Sequence, residues 1–361
     1  MATLDEDRLK QLQFLVFSKL EGAVTSGMIH LGDRLGLYRT LAAADEPLTT
    51  VELAARSALD ERWIREWAYN QAAAHLLDVD TAEPGTERFS LSPEAVAVLA
   101  DGDHEAFGMG MFHRLPQTMD TLRALPESFR TGLGHDYDSH GPEGAAGIER
   151  SFEPWNRAHL LTDVLPALDG VVDALRSGAN VADIGCGAGG AVLMIAGAFP
   201  ASRVGGYDIS QHALSRAAER LRDSGLANAS FHDPSVDALP SDHSLDLVTT
   251  FDCLHDMTDP QGMAEAIRAA IADEGTWLLV DIKGRDTFAE NAEKNPMASL
   301  MYGISVFSCM SSALSTPGGA GLGTLGLPAS KAEAIATAAG FSHFRKLPVD
   351  HAVNAFYEIR V

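Results

Sequence analysis

From about Asn180 onward the chain alternates short apolar runs with amphipathic ones: NVADIG, AVLMIAGAF, RVGGYDIS, HALSRAAERL, LDLVTTF, GMAEAIRAAI and TWLLVDI. Apolar runs of four to eight residues read as strands buried on both faces, and the longer runs between them carry helical spacing. Strands separated by helices cannot pair as tight hairpins. They must cross over and lie parallel, which predicts a Rossmann-like, doubly wound, mostly parallel α/β sheet with helices on both faces. In such a sheet ligands bind beyond the carboxyl ends of the strands.

The preceding residues read differently. The stretch FLVFSKLEGAVTSGMIHLGDRLGLYRTL predicts paired helices on which Leu31, Leu35, Tyr38 and Leu41 share an apolar face. Thr49 or Thr50 starts a short helix, and Asp60 caps a longer one that carries Trp63, Ile64 and Trp67. Strand candidates at 77–80 and 89–91 flank the turn-rich AEPGTER, so helix, helix and hairpin follow in the order of a winged helix-turn-helix. The 361 residues divide into a mainly helical domain at 1–150 and the α/β domain at 151–361, with the boundary near the connector GLGHDYDSHGPEGAAG.

The segment VADIGCGAGG is a strand, a glycine turn and a helix start, and Gly185, Gly187 and Gly190 fit G-x-G-x-x-G. Asp208, at the end of the next strand, stands at about the interval of an acid that accepts hydrogen bonds from a ribose. A nucleoside-containing ligand follows. A pyrophosphate would bring like charge against Asp183 in a partly desolvated pocket. A ligand with an ammonium and a sulfonium reverses the sign, and S-adenosylmethionine (SAM) meets that description, with Asp183, Asp208 and Asp233 at successive strand ends.

These residues resemble the class I SAM-dependent methyltransferases, whose first motif D/E-x-G-x-G-x-G is matched by Asp183, Gly185, Gly187 and Gly189. The resemblance covers roughly 150–361. It implies a cofactor site of those four residues with Cys186, Asp208 and Ile209, Asp233 and Pro234 near the adenine, and Phe251 at a strand end. FDCLHDMTDP, residues 251–260, is similar to the L-H-D-W segment of small-molecule O-methyltransferases that carry an N-terminal winged-helix dimerisation domain, with Met257 in place of the tryptophan. The resemblance implies that His255 is the general base for a hydroxyl or phenol and that the chain is a homodimer. The residues alone leave a local structural histidine open, with Asp259 capping the helix that starts at Pro260.

Met109, Phe112, Trp155, Met301 and Phe307 are candidate walls for a small, apolar substrate, although core packing is the default for such residues. His135, Asp136, Asp138 and His140 read as solvated polar residues rather than a metal site, and the glycine-rich STPGGAGLGTLGL reads as a surface loop. No metal is expected. Cys186, Cys253 and Cys309 lack the spacing of a disulfide framework or a cysteine zinc site, and Cys186 and Cys253 read as small buried residues. With an acidic N-terminus and no long apolar run, the chain is expected to be cytoplasmic, and its formal charge of -23 disfavours nucleic acid and anionic membranes as partners. Two alternatives stand beside methylation: another chemistry on the same SAM-binding fold, and a ligand-sensing winged-helix DNA-binding regulator. Residues 1–100 hold nine basic and sixteen acidic side chains, which favours dimerisation over DNA.

Overall fold

The computed structural model describes residues 4–80 and 85–361 in two compact units, Met1–Pro116 with Arg150–Pro154, and Gln117–Glu149 with Trp155–Val361. The first unit begins with one 29-residue helix, Glu6–Arg34, whose N-cap Asp5 accepts from the backbone of Asp7 and Arg8. Gly36, at φ 72°, breaks it from the short helix Leu37–Ala42. That left-handed residue resets the helical phase. Tyr38 and Leu41 are therefore buried, whereas Leu31 and Leu35 are exposed, and the four do not share one face.

Next, Thr49 and Glu52 form a reciprocal capping box on Thr50–Ser57, and Asp60 caps Glu61–Ala73. Strands β1 (Asp78–Asp80) and β2 (Arg88–Ser90) pair antiparallel, completing helix, helix and hairpin. The first part of the turn between them, residues 81–84, lies outside the described residues. The core joins Tyr38, Leu53, Trp67 and Phe89, with the Tyr38 and Trp67 rings edge-on at 5.4 Å. Arg150 clamps the buried Asp33 through two bonds of 2.7 and 2.8 Å, which ties the 150–154 segment to this unit. On Glu61–Ala73, Arg62 pairs with Glu66 at 2.6 Å and Arg65 with Glu61 at 2.7 Å.

In the second unit, β3 (Asn180–Ile184), β4 (Arg203–Tyr207), β5 (Ala229–His232), β6 (Leu245–Phe251), β7 (Ile271–Ile282), β8 (His343–Lys346) and β9 (Asn354–Arg360) form one sheet in the order β5-β4-β3-β6-β7-β9-β8. The first five in that order are parallel, and β9 runs antiparallel to both β7 and β8. Two apolar layers cover the sheet. Val181, Leu247 and Leu278 belong to one, and Ala182, Val248 and Trp277 to the other, as the alternation along each strand requires. The chain direction across the sheet reverses between β3 and β6. In open parallel sheets the carboxyl edge at such a switch point is where ligands bind, and the glycine turn and His255 both follow strands that end there. No helix among the described residues is long and apolar enough to cross a membrane.

Candidate active site

After β3 the chain turns through Gly185, Gly187 and Gly189 at φ 69°, 54° and 76°, values that disfavour any residue with a Cβ. A Cβ on Gly185 would meet Cys253 at 2.6 Å, and one on Gly189 would strike the Phe231 ring, whereas one on Gly187 would face open space. The middle of the turn is thus a cradle. Asp208 holds its shape, since Oδ2 accepts from Gly187 N and Oδ1 from Ser210 N, both at 2.8 Å. Cys186 is buried beneath the turn, and Cys253 Sγ donates to Ile184 O at 3.1 Å.

Three carboxylates surround the cradle in different states. Asp183 is buried at the end of β3, and burial, with help from the charge of Asp208, pushes its pKa up to about 7 against the hydrogen bond from Thr249 Oγ1 (2.6 Å). Burial also raises Asp208, although its backbone donors oppose that rise. Asp233 is half-buried, and the Ser235 hydroxyl and backbone hold it below the usual carboxylate range. Gln211 Nε2 also donates to Asp233, at 2.7 Å. Beside these acids, the exposed Ile209 and half-buried Pro234 offer apolar surface, while Phe251 packs into the core below.

His255 lies on a turn of 3-10 helix, Leu254–Asp256, one step beyond β6. It is fully buried. Its Nδ1–H donates to Asp281 Oδ1 at 2.7 Å, and Asp281 sits near the end of the adjacent strand β7. Burial opposes a charged imidazole, but Asp281 and the Cys309 side chain outweigh it and hold the pKa well above its usual value. Asp252, the residue directly after β6, is half-buried, its pKa is raised first by burial and then by the charge of Asp281, and it accepts a hydrogen bond from Asn354 Nδ2. The carboxylate that orients the imidazole was not legible in the sequence, because it stands 26 positions away and meets His255 only through strand adjacency.

Several polar residues that read as solvated are built into this unit. Asp138 accepts from Ser210 Oγ at 2.7 Å, and the buried His140 meets Ser308 Oγ at 3.0 Å. The glycine-rich segment 315–327 is likewise anchored: Gly323 N donates to His255 O at 3.1 Å, and Leu325 and Leu327 are buried. Of the candidate substrate walls, Met109 is buried in the first unit's core and Phe112 packs against it. Trp155, in the second unit, meets the rings of His351 at 4.5 Å and Phe356 at 5.5 Å. Met301 and Phe307 lie half-buried on the helix Ala298–Phe307, which leads directly to Cys309.

A methyltransferase-domain profile matches residues 175–320, and the profile of the Rv2258c-like winged HTH domain matches 23–101. The chain carries a methyltransferase domain behind a winged helix-turn-helix domain. Its structure is similar to that of human N-acetylserotonin methyltransferase in complex with SAM, at 17% identity and TM-score 0.67, covering 100% of this chain and 99% of that one. It also resembles the mitomycin 7-O-methyltransferase, at 19% identity and TM-score 0.67, over 99% of both chains. An O-methyltransferase from neocarzinostatin biosynthesis, solved with SAM and 2-hydroxy-5-methyl naphthoic acid, matches at 16% identity and TM-score 0.61 over 93% of this chain and 96% of that one. No curated protein matches the chain in sequence. The methyl donor of such a methyltransferase domain is SAM, and the residues present suit it: an open cradle, a buried acid whose charge a cation would complement, and an exposed apolar side chain beside the acid loops.

Proposed function

We propose that this methyltransferase transfers the methyl group of SAM to a hydroxyl or phenol of a small molecule, with His255 as the general base. The observation that supports the base most is the hydrogen bond from His255 Nδ1 to Asp281, which leaves Nε2 as the nitrogen able to take a proton. Bound SAM supplies an electrophilic methyl group, and the chain's task is to align an acceptor with it and exclude water. Asp281 holds the imidazole in one tautomer and stabilises the imidazolium formed when the acceptor hydroxyl gives up its proton. Asp183 and Asp208 favour the cationic end and the ribose of the cofactor, and Asp233 with Pro234 and Ile209 its base. The neighbours solved with a naphthoic acid or acting on mitomycin support a small, hydroxylated acceptor as the substrate class.

Calorimetry on the full chain tests the cofactor assignment. SAM is expected to bind in the micromolar range and NAD not to bind, because a pyrophosphate would lie against buried acids. Asp208→Ala should weaken SAM by about 1–3 kcal/mol, through the loss of a charged acceptor and of the brace on the Gly187 amide. Binding of NAD without SAM, or an unchanged affinity in the variant, contradicts this assignment.

The helix Glu6–Arg34 supports a homodimer through the N-terminal unit. Phe14 is 77% exposed and Phe17 67%, and Leu12, Leu15, Val16, Leu20 and Val24 are also exposed, a run of apolar side chains on one helix that a partner would cover. Light scattering is expected to show a dimer for the native chain and a monomer for Phe14→Glu with Phe17→Glu. A native chain that is monomeric at micromolar concentration removes the dimer. DNA binding is the weaker reading for the winged helix, since both arginines of its longer helix are already paired with glutamates. A cytoplasmic location belongs to the same proposal.

A further inference from the structure

The nitrogen of His255 that would face an acceptor already has a neighbour in the chain. Cys309 begins the helix Cys309–Ala313, which packs on the Leu254–Asp256 turn, and its Sγ, a ring nitrogen of His255 and a carboxylate oxygen of Asp256 all lie within 4.8 Å of one another. Since Asp281 occupies Nδ1, Nε2 is the nitrogen left for the thiol, which is placed to hydrogen-bond with the ring. Thiol, imidazole and carboxylate thus stand in series, the order in which a cysteine is activated as a nucleophile. Asp281 Oδ2 is buried without a partner, so the carboxylate retains capacity to stabilise an imidazolium. The other two thiols are placed otherwise: burial, followed by nearby carboxylates, pushes both Cys186 and Cys253 up.

We propose that Cys309 is a nucleophilic thiol activated by His255 and Asp281, and that it is the chain's site of covalent addition to small α,β-unsaturated carbonyl compounds such as enones and quinones. In this step the neutral form of the His255 ring takes the thiol proton on Nε2 while sulfur bonds to the β-carbon. The alkene pair moves toward the carbonyl, and the imidazolium returns the proton to the resulting enolate. Nothing is gained or lost beyond the two reactants. An adduct would fill the space before Nε2, and on the reading that His255 is the base it would halt methyl transfer. The addition itself does not depend on that reading.

The test is labelling of the native full chain by a limiting dose of N-ethylmaleimide at neutral pH, with each cysteine quantified by peptide mass spectrometry. Cys309 is expected to react roughly tenfold faster than Cys186 or Cys253, because an unassisted thiol is only a few per cent thiolate at that pH. His255→Asn should remove most of that advantage while leaving the Cys186 rate unchanged. Cys309→Ser should abolish the fast label. If the histidine variant does not fold, the ranking of the three thiols in the native chain decides. Equal rates for Cys309 and Cys253, or a Cys309 rate indifferent to a folded His255→Asn, overturn the proposal. Slow labelling that a chelator makes fast overturns it too, in favour of a metal ion held by His255, Asp256 and Cys309.

Discussion

Replacing His255 with alanine is expected to lower turnover by about 10²–10⁴-fold, the usual contribution of a general base, while SAM affinity stays near the native value. The expectation rests on placement: His255 follows β6 by one turn at the switch point, and its Nδ1 is committed to Asp281. Only the neutral ring accepts a proton. Because burial is outweighed by Asp281 and Cys309 together and the folded pKa is raised, activity should climb with pH above the usual imidazole range rather than level off within it. Asp252, Asp256 and Cys309 surround the ring and contribute to the same limb. Asp281→Asn should move that limb to lower pH and lower its plateau, since the amide leaves the tautomer unassigned. The sign for stability is the opposite of that for activity. A raised histidine stabilises the fold fully below its unfolded pKa, and that contribution is lost as pH rises through the folded value. Steady-state rates of native and variant chains on a hydroxylated acceptor, measured across pH, check both. Near-native turnover in His255→Ala would make the histidine structural and leave methyl transfer to alignment alone.

What could be read from the sequence divides along physical lines. Strand and helix periodicities are local, so the alternation after Asn180 foretold the parallel sheet, and Thr49, Asp60 and Asp259 announced their helix starts through side chains that cap the next turn. The glycine turn was equally legible because its backbone angles admit little else. Relations that exist only across strands were not. Asp281 reaches His255, and Asn354 reaches Asp252, because β6, β7 and β9 are neighbours in the sheet, an order that no single strand encodes. The connector misled for a related reason. Asp138 and His140 look like loop polars by composition, yet each finds a hydroxyl far along the chain, Ser210 and Ser308, and is drawn into the fold by it. The first helix failed in a different way, since Gly36 shifts the phase and leaves Leu31 and Leu35 outside the face to which Tyr38 belongs.

Asp183→Asn is expected to make the cofactor-free protein more stable at pH 8 by roughly 2–4 kcal/mol and at pH 5 by only about a third of that. Asp183 is fully buried at the end of β3, and burial raises its folded pKa to about 7, assisted by the charge of Asp208 and opposed by the Thr249 hydroxyl. An unfolded aspartate titrates near 3.9, so between about pH 4 and 7 the folded chain holds a proton that the unfolded chain has released. Stability must therefore fall as pH rises through that window. Asparagine keeps an oxygen for the Thr249 donor and has no charge to bury, so it escapes the loss. The native acid persists at a cost about the size of the stability of many domains' weakest regions, which is intelligible if a cationic ligand offsets it: SAM should stabilise the native chain more at pH 8 than at pH 5 and lose most of that effect in the variant. Thermal melts at the two pH values, with and without SAM, supply all the comparisons. An equal gain at both pH values would mean that the variant acts through packing, and that Asp183 carries no charge for the cofactor to meet.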